Sequence, residues 1–384
     1  MQGYRMSSSR RQFLRFSAGV ATASLPWCSR SFAFQQSQSA PVEDDKLIRL
    51  SSNENAYGPS AKALAAIMSA AGSSNRYPRL QYPELIQRIA TSHQTGSDRV
   101  LLGCGSTEVL RMAASAFLRK DSQLIHASPT FKAIEHYARA ADSQVIAIPL
   151  NPAFAHDLDR MLAAVTPSTT LFYVCNPNNP TGSLTPRKDL ESFIAKLPSS
   201  TLVIIDEAYH HFAGASSTYA SFIDHPIHNE RLIVARTFSK VYGLAGLRLG
   251  YAIAAPKVVQ EMNKFATEDN VNAMATEAAF AVLDDAAGVA EAVERNANDR
   301  QEFFNQAMAR ALKPIDSHTN FVMMDTLHPA NEVIEHFRKH NILIGPQFPA
   351  MNTYIRVSLG RPEEMLAFWS AWDQLPYPKS TRHH

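Results

Sequence analysis

Cysteine, surplus charge and nucleotide-loop motifs are all scarce in this 384-residue chain. Lys and Arg number 37 against 35 Asp and Glu, a formal net charge of +2. That balance gives no reason to invoke nucleic acid or an anionic membrane as a partner. Cysteine occurs only as Cys28, Cys104 and Cys175. Three scattered thiols make no disulfide framework, and no CxxC or Cys/His spacing suggests a metal. A GxxxxGK[ST] phosphate loop is absent, which removes the P-loop nucleotide enzymes. What is present is ordinary globular composition, 45% hydrophobic and 19% charged, in a chain long enough for a large core plus a smaller second domain. Such a chain is expected to act on small molecules.

The first residues read as an address. Arg10, Arg11 and Arg15 precede a modest apolar stretch from Phe16 to Trp27, followed by Ser31-Phe32-Ala33. This is the n-region, h-region and small-residue cleavage pattern of an export signal. The apolar stretch is too short, and too rich in Ser, Thr and Gly, to span about 30 Å of bilayer. Ser9-Arg10-Arg11-Gln12-Phe13-Leu14-Arg15 resembles a twin-arginine signal, whose machinery exports folded proteins. Cleavage is expected near Ala33, with loss of Cys28, and Met6 as the start. The destination is then the periplasm, against a cytoplasmic alternative if the segment is only a basic tail.

From Lys46 onward helical and strand patterns alternate. Strands are expected at Val100–Leu102, Ser122–Ala127, Gln144–Pro149, Thr170–Cys175, Thr201–Asp206 and Arg231–Thr237. Helices are expected at Thr107–Arg119 and Phe131–Ala141. Short apolar runs separated by helices are the mark of βαβ units and a mostly parallel sheet, buried on both faces. A long amphipathic helix over 287–312 precedes strand–helix–strand signals at Phe321–Met324, Glu332–Lys339, Ile342–Ile344 and Tyr354–Ser358, a small α+β domain.

Three segments carry chemistry. Thr237-Phe238-Ser239-Lys240, with Gly243 to Gly250 after it, puts a lysine just beyond a buried strand, where poor solvation favours the neutral, nucleophilic amine. Thr237, Ser239 and Arg248 offer donors to a phosphate. Leu202-Val203-Ile204-Ile205-Asp206-Glu207-Ala208-Tyr209 puts a carboxylate at the C-terminal end of a strand, where parallel sheets bind ligands. Such a carboxylate keeps a pyridinium nitrogen protonated. Asn176-Pro177-Asn178-Asn179-Pro180-Thr181-Gly182 makes a rigid turn with an amide donor at Asn179. Each alone admits a plainer reading: a surface Ser-Lys, a Walker-B-like metal site, a simple turn.

Together, in this order, they make the chain resemble pyridoxal-phosphate (PLP) dependent aminotransferases of fold type I, class I/II, in the histidinol-phosphate aminotransferase-like branch. The resemblance runs from about Leu50 to Pro362 and includes Leu50 to Pro59, Arg76-Tyr77-Pro78, Gly105-Ser106-Thr107-Glu108, Pro129-Thr130-Phe131 and Tyr354 to Ser358. It implies an α/β fold whose large domain has a mostly parallel sheet, plus a small α+β domain. The divisions are then 1–33 signal, 34–45 linker, 46–75 a segment joining the small domain, 76–285 the large PLP-binding domain and 286–384 the small C-terminal domain.

The resemblance also implies roles. Lys240 holds PLP as a Schiff base and then shuttles the proton between Cα and C4′. Asp206 pairs with the pyridine nitrogen, Asn179 and Tyr209 with the phenolic oxygen, and Phe131 stacks on the ring. Ser106 and Thr107 open a helix toward the phosphate, and Thr237, Ser239 and Arg248 complete that site. Tyr77 reaches the phosphate across a two-fold axis, which makes the protein a homodimer. Tyr57, Asn179 and Arg356 meet the substrate, Arg356 clamping its α-carboxylate. No metal takes part; an amino donor and a 2-oxo acid acceptor are the partners.

The chain departs from that branch at one position. Its members usually carry an arginine just before the proline ahead of the Arg356 strand, where it meets the substrate phosphate. Here Ile342-Leu343-Ile344-Gly345-Pro346 supplies Gly345 instead. A guanidinium–phosphate pair contributes on the order of 2 kcal/mol, so a neutral or aromatic substrate is expected rather than histidinol phosphate. Decarboxylases and lyases share the same residues, and a non-catalytic PLP-binding protein is a third possibility. An arginine holding the carboxylate favours breaking Cα–H, hence transamination.

Overall fold

Neighbouring residues of the central strands divide between two cores. Phe172, Val174, Val203, Ile205 and Val234 pack on one side of a sheet, and Leu171, Tyr173, Ile204, Ile233 and Ala235 on the other. Strands apolar on both faces need helices over both, which is why this stretch folds as covered parallel strands. The computed structural model describes residues 47–227 and 229–376. The expected export signal, its cleavage site and the linker lie outside the described residues.

In chain order the strands are β1 (Ile48–Leu50), β2 (Val100–Gly103), β3 (Gln123–Ser128), β4 (Gln144–Pro149), β5 (Thr169–Cys175), β6 (Leu202–Asp206), β7 (Leu232–Thr237), β8 (Gly250–Ala254), β9 (Lys313–Pro314), β10 (Phe321–Asp325), β11 (Ile342–Ile344) and β12 (Tyr354–Ser358). Seven of them form one sheet in the order β2-β8-β7-β6-β5-β3-β4. Its pairings are parallel from β4 through β7, and only β8 runs against its two neighbours. The sequence reading found the parallel strands to within one or two residues and missed β8. That strand is short, and three of its five residues are Gly or Ala, weak strand formers.

Register decides where the site lies. Cys175 stands opposite Asp206, Asp206 opposite Ala235, and Gly250 opposite both Thr237 and Gly103. The carboxyl ends of β2, β5, β6 and β7 therefore share one edge, the position at which open α/β sheets bind ligands. A smaller antiparallel sheet, β12-β10-β9, and a parallel pair, β1-β11, come from the two ends of the described chain. The helix expected over 287–312 spans Ala286–Ala309.

Candidate active site

A cavity of about 500 Å³ opens at that edge, lined by residues of the seven-stranded sheet and, from β12, of the three-stranded one. The turn after β7 carries Lys240 into it. Lys240 Nζ donates to the carbonyls of Asn53 (2.9 Å) and Ser52 (3.4 Å). Burial, with Arg356 and then Arg248 nearby, pulls its ammonium down to about 8. The amine is thus accessible near neutral pH, as a nucleophile or proton carrier requires.

Asp206 ends β6 and is 2% exposed. Its Oδ2 accepts from the Tyr173 hydroxyl at 2.8 Å and its Oδ1 from the Ala208 amide at 3.1 Å. Burial pushes its carboxyl up to about 6 against those hydrogen bonds. No cation pairs with it within salt-bridge distance among the described residues, so it is poised for a cationic N–H from a ligand.

Three residues on, the Tyr209 oxygen accepts from the Asn53 amide at 2.9 Å and the Asn179 amide at 3.5 Å. Burial pushes its pKa up, so it stays a phenol. Having accepted twice and donated to none of the described residues, it retains its hydrogen for a ligand oxygen. The orientation of the Asn53 amide is supported from its other end, where Oδ1 accepts from the Ser358 hydroxyl at 3.4 Å.

At one end of the cavity the helix Gly105–Phe117 begins. Ser106 and Thr107, in its first turn, line the wall with Thr237, Ser239 and Arg248. Arg248 donates to Ser239 Oγ at 3.3 Å and to the Ala245 carbonyl at 3.0 Å, and no carboxylate neutralises it among the described residues. Gly105 has φ +73°, and a Cβ there would run into the Arg248 guanidinium. Helix N–H groups, hydroxyls and a free guanidinium over a glycine make an anion cradle.

At the other end Arg356 projects from β12. Its Nη1 donates to Asn179 Oδ1 and its Nη2 to the Ser51 carbonyl, both at 2.6 Å. Its Nε is buried without a partner. A 7% exposed guanidinium with no carboxylate beside it is a receptor for one. Phe131 lines the same cavity, as do Pro346, Gln347 and Phe348 from the loop after β11.

Lys240, Asp206, Tyr209, Asn179, Phe131, Ser106, Thr107, Thr237, Ser239, Arg248 and Arg356 are thus brought together. Two expected residues are not. Tyr57 is turned away: its hydroxyl donates to Asp299 at 3.0 Å and its ring lies 4.4 Å from the Arg295 guanidinium carbon. Asp299 and Arg295 on the long helix satisfy it there, so within its own chain it does not line the cavity. Tyr77, expected at the partner's phosphate, is 72% exposed and does not line its own chain's cavity. Sequence reasoning gave no role to Asn53 or Tyr173. The second had a signal, a lone tyrosine inside a buried apolar strand, whose hydroxyl must find a partner.

The donors and acceptors fit a phosphate-bearing pyridinium: an anion at Arg248, a cationic N–H at Asp206, an oxygen at Tyr209 and an amine within reach of aldehyde chemistry at Lys240. Among the described residues no cluster of His, Cys, Asp and Glu is suited to a metal.

Comparison with known proteins agrees. The family model for aminotransferase class I and II matches residues 45–369. The chain is 34% identical to histidinol-phosphate aminotransferase of Moorella thermoacetica over 316 residues, covering 82% of this chain and 81% of that one. It is also 34% identical to the Bacillus subtilis (strain 168) enzyme of the same name, over 83% and 89% of the two chains. The structure of histidinol-phosphate aminotransferase from Sinorhizobium meliloti, in complex with pyridoxal-5'-phosphate, superposes with a TM-score of 0.81 at 28% identity, covering 90% of this chain and 98% of that one. With sequence, fold and cavity in accord, the chain belongs to the class I and II aminotransferases and is a pyridoxal-phosphate-dependent enzyme of fold type I.

Proposed function

We propose that this aminotransferase takes an amino donor with an α-carboxylate and an uncharged, apolar or aromatic side chain, and delivers its amino group to a 2-oxo acid. The observation that carries the reading is the substrate end of the cavity. There the loop after β11 offers Pro346, Gln347 and Phe348, with the Phe348 ring 5.1 Å from the Arg356 guanidinium carbon. A Cβ on Gly345 would lie 2.8 Å from the Arg356 carbonyl oxygen and 3.1 Å from its Nε. A side chain there conflicts with the carboxylate receptor itself, so this chain has no room for a second guanidinium at that position.

The cofactor, when bound, supplies an aldehyde for the amine and a ring that accepts electrons. The protein supplies the rest. Arg356 binds and orients the substrate carboxylate, with Asn179 bracing it. Lys240 Nζ takes and returns the proton at the substrate Cα, for which a pKa near neutrality is suited. Asp206 holds the proton on the ring nitrogen, and Tyr209 donates to the phenolic oxygen.

The working unit we infer is a homodimer in which Tyr77 reaches the partner's phosphate cradle; its exposure, with that of Leu80 (89%) and Met68 (70%), supports this. Export by the twin-arginine route to the periplasm is proposed from Arg10, Arg11 and the apolar stretch after them.

A donor screen with a common 2-oxo acid tests the substrate reading. Aromatic and neutral amino acids are expected to exceed histidinol phosphate in kcat/KM at least about tenfold, from the lost guanidinium–phosphate pair. Efficient, selective turnover of histidinol phosphate overturns it. Light scattering that gives a monomer overturns the dimer.

A further inference from the structure

We propose that Tyr173 is a positioning residue for the cofactor's ring nitrogen, acting through Asp206: its buried hydroxyl fixes the carboxylate and keeps it ionised. The inference rests on the reading that Asp206 meets that nitrogen. Tyr173 lies on β5, two residues before Cys175, which stands opposite Asp206 in the sheet register. Its side chain is fully buried among Leu171, Ile204 and their neighbours. A phenylalanine would fill that volume without the cost of burying a hydroxyl. The hydroxyl is directed instead at Asp206 Oδ2, at 2.8 Å. With the Ala208 amide on Oδ1 at 3.1 Å, each carboxylate oxygen holds one donor and the group is pinned in a single orientation.

The electrostatics point the same way. The ionisable groups around Asp206 are Tyr173 and Cys175 from β5, Glu207 and Tyr209 from its own turn, and Lys240 from beyond β7. Glu207 is taken up by Arg236 at 3.0 Å. Tyr173, ahead of the Ala208 amide, is therefore the main neutral donor that offsets burial of the carboxylate, with Lys240 as the nearby cation. Without that hydroxyl the carboxylate becomes the better base, draws the shared proton off the ring nitrogen and leaves a weaker electron sink.

The test uses holoenzyme reconstituted with PLP labelled with ¹⁵N at the ring. In Y173F the ¹⁵N resonance is expected to move toward that of neutral pyridine. The acid limb of kcat/KM is expected to rise by about one pH unit, a tenfold change in proton affinity. Replacing Tyr173 by 3-fluorotyrosine, a stronger donor of the same shape, should move the limb the opposite way, which a purely structural role does not predict. In a D206N background, Y173F should add no further change. If D206N shifts the resonance while both Tyr173 replacements leave it and the limb unmoved, the proposal fails and the Asp206 reading stands. If D206N itself leaves the resonance unmoved, the Asp206 reading fails, and the proposal with it.

Discussion

Arg356, on β12 of the smaller sheet, donates at 2.6 Å to Asn179, in the loop after β5 of the larger one, across 177 positions of chain. The carboxylate receptor and the loop beside Tyr209 are thereby one assembly. Arg356→Gln removes the fork but leaves an amide to meet Asn179. For donors bearing an α-carboxylate, kcat/KM should fall about 10- to 100-fold, the effect of a charge-assisted hydrogen bond. Amines lacking the carboxylate should be nearly indifferent; an equal loss for both would show that Arg356 does not touch the carboxylate.

Asp206 gives a stability signature in the apoprotein. A carboxyl whose folded pKa is raised binds its proton more tightly folded than unfolded. Its favourable contribution is present below about 3.8 and is lost as the pH rises through about 6. Relative to D206N, wild-type apoprotein should lose about 2 kcal/mol between pH 4 and pH 7. Chemical denaturation at a series of pH values measures the difference; parallel curves for the two proteins would refute it.

Gly105→Ala puts a methyl against the Arg248 guanidinium at a φ of +73°. Strain of about 1 kcal/mol adds to displacement of the arginine from the anion cradle. PLP affinity should drop tenfold or more, read by equilibrium dialysis, with inorganic phosphate protecting the variant less than wild type.

Asn53 sits at φ +54° while its amide donates to Tyr209. Two substitutions separate these tasks. Asn53→Gly tolerates the backbone and loses only the hydrogen bond; Asn53→Ala loses both. Both should weaken turnover to a similar degree, but N53A should melt at the lower temperature, by about 1 kcal/mol of strain. Equal melting temperatures would show that the left-handed backbone carries no cost here.

Replacing Arg10 and Arg11 together by lysine should leave the protein in the cytoplasm with its activity intact, scored by fractionation. Undiminished export would show that the leader has been misread.

The parallel strands and the C-terminal ends that carry Asp206 and Lys240 were legible because continuous β-branched runs admit few alternatives. So was Arg356, through its motif. Strand β8 was not, since Gly and Ala give no period. The orientation of Tyr57 was not legible either, because a motif places a residue in sequence, whereas Asp299 and Arg295, over 200 positions away, decide which way the ring turns. Asn53 and Tyr173 act through other side chains, and such contacts across strands leave no mark in local pattern. At Gly345 the structure adds a constraint the chain alone did not disclose, the proximity of Arg356.

The short strand Ile48–Leu50 pairs with Ile342–Ile344 and leads directly into the carbonyls of Ser51, Ser52 and Asn53. Any proteolysis at the front of this polypeptide must therefore stop ahead of Ile48 if the site is to stay intact. A protease nick or a shortened clone that removed those three residues would free the loop bearing Phe348 and unseat the acceptors of both Lys240 and Arg356, disabling the enzyme from a point far from its catalytic lysine in sequence.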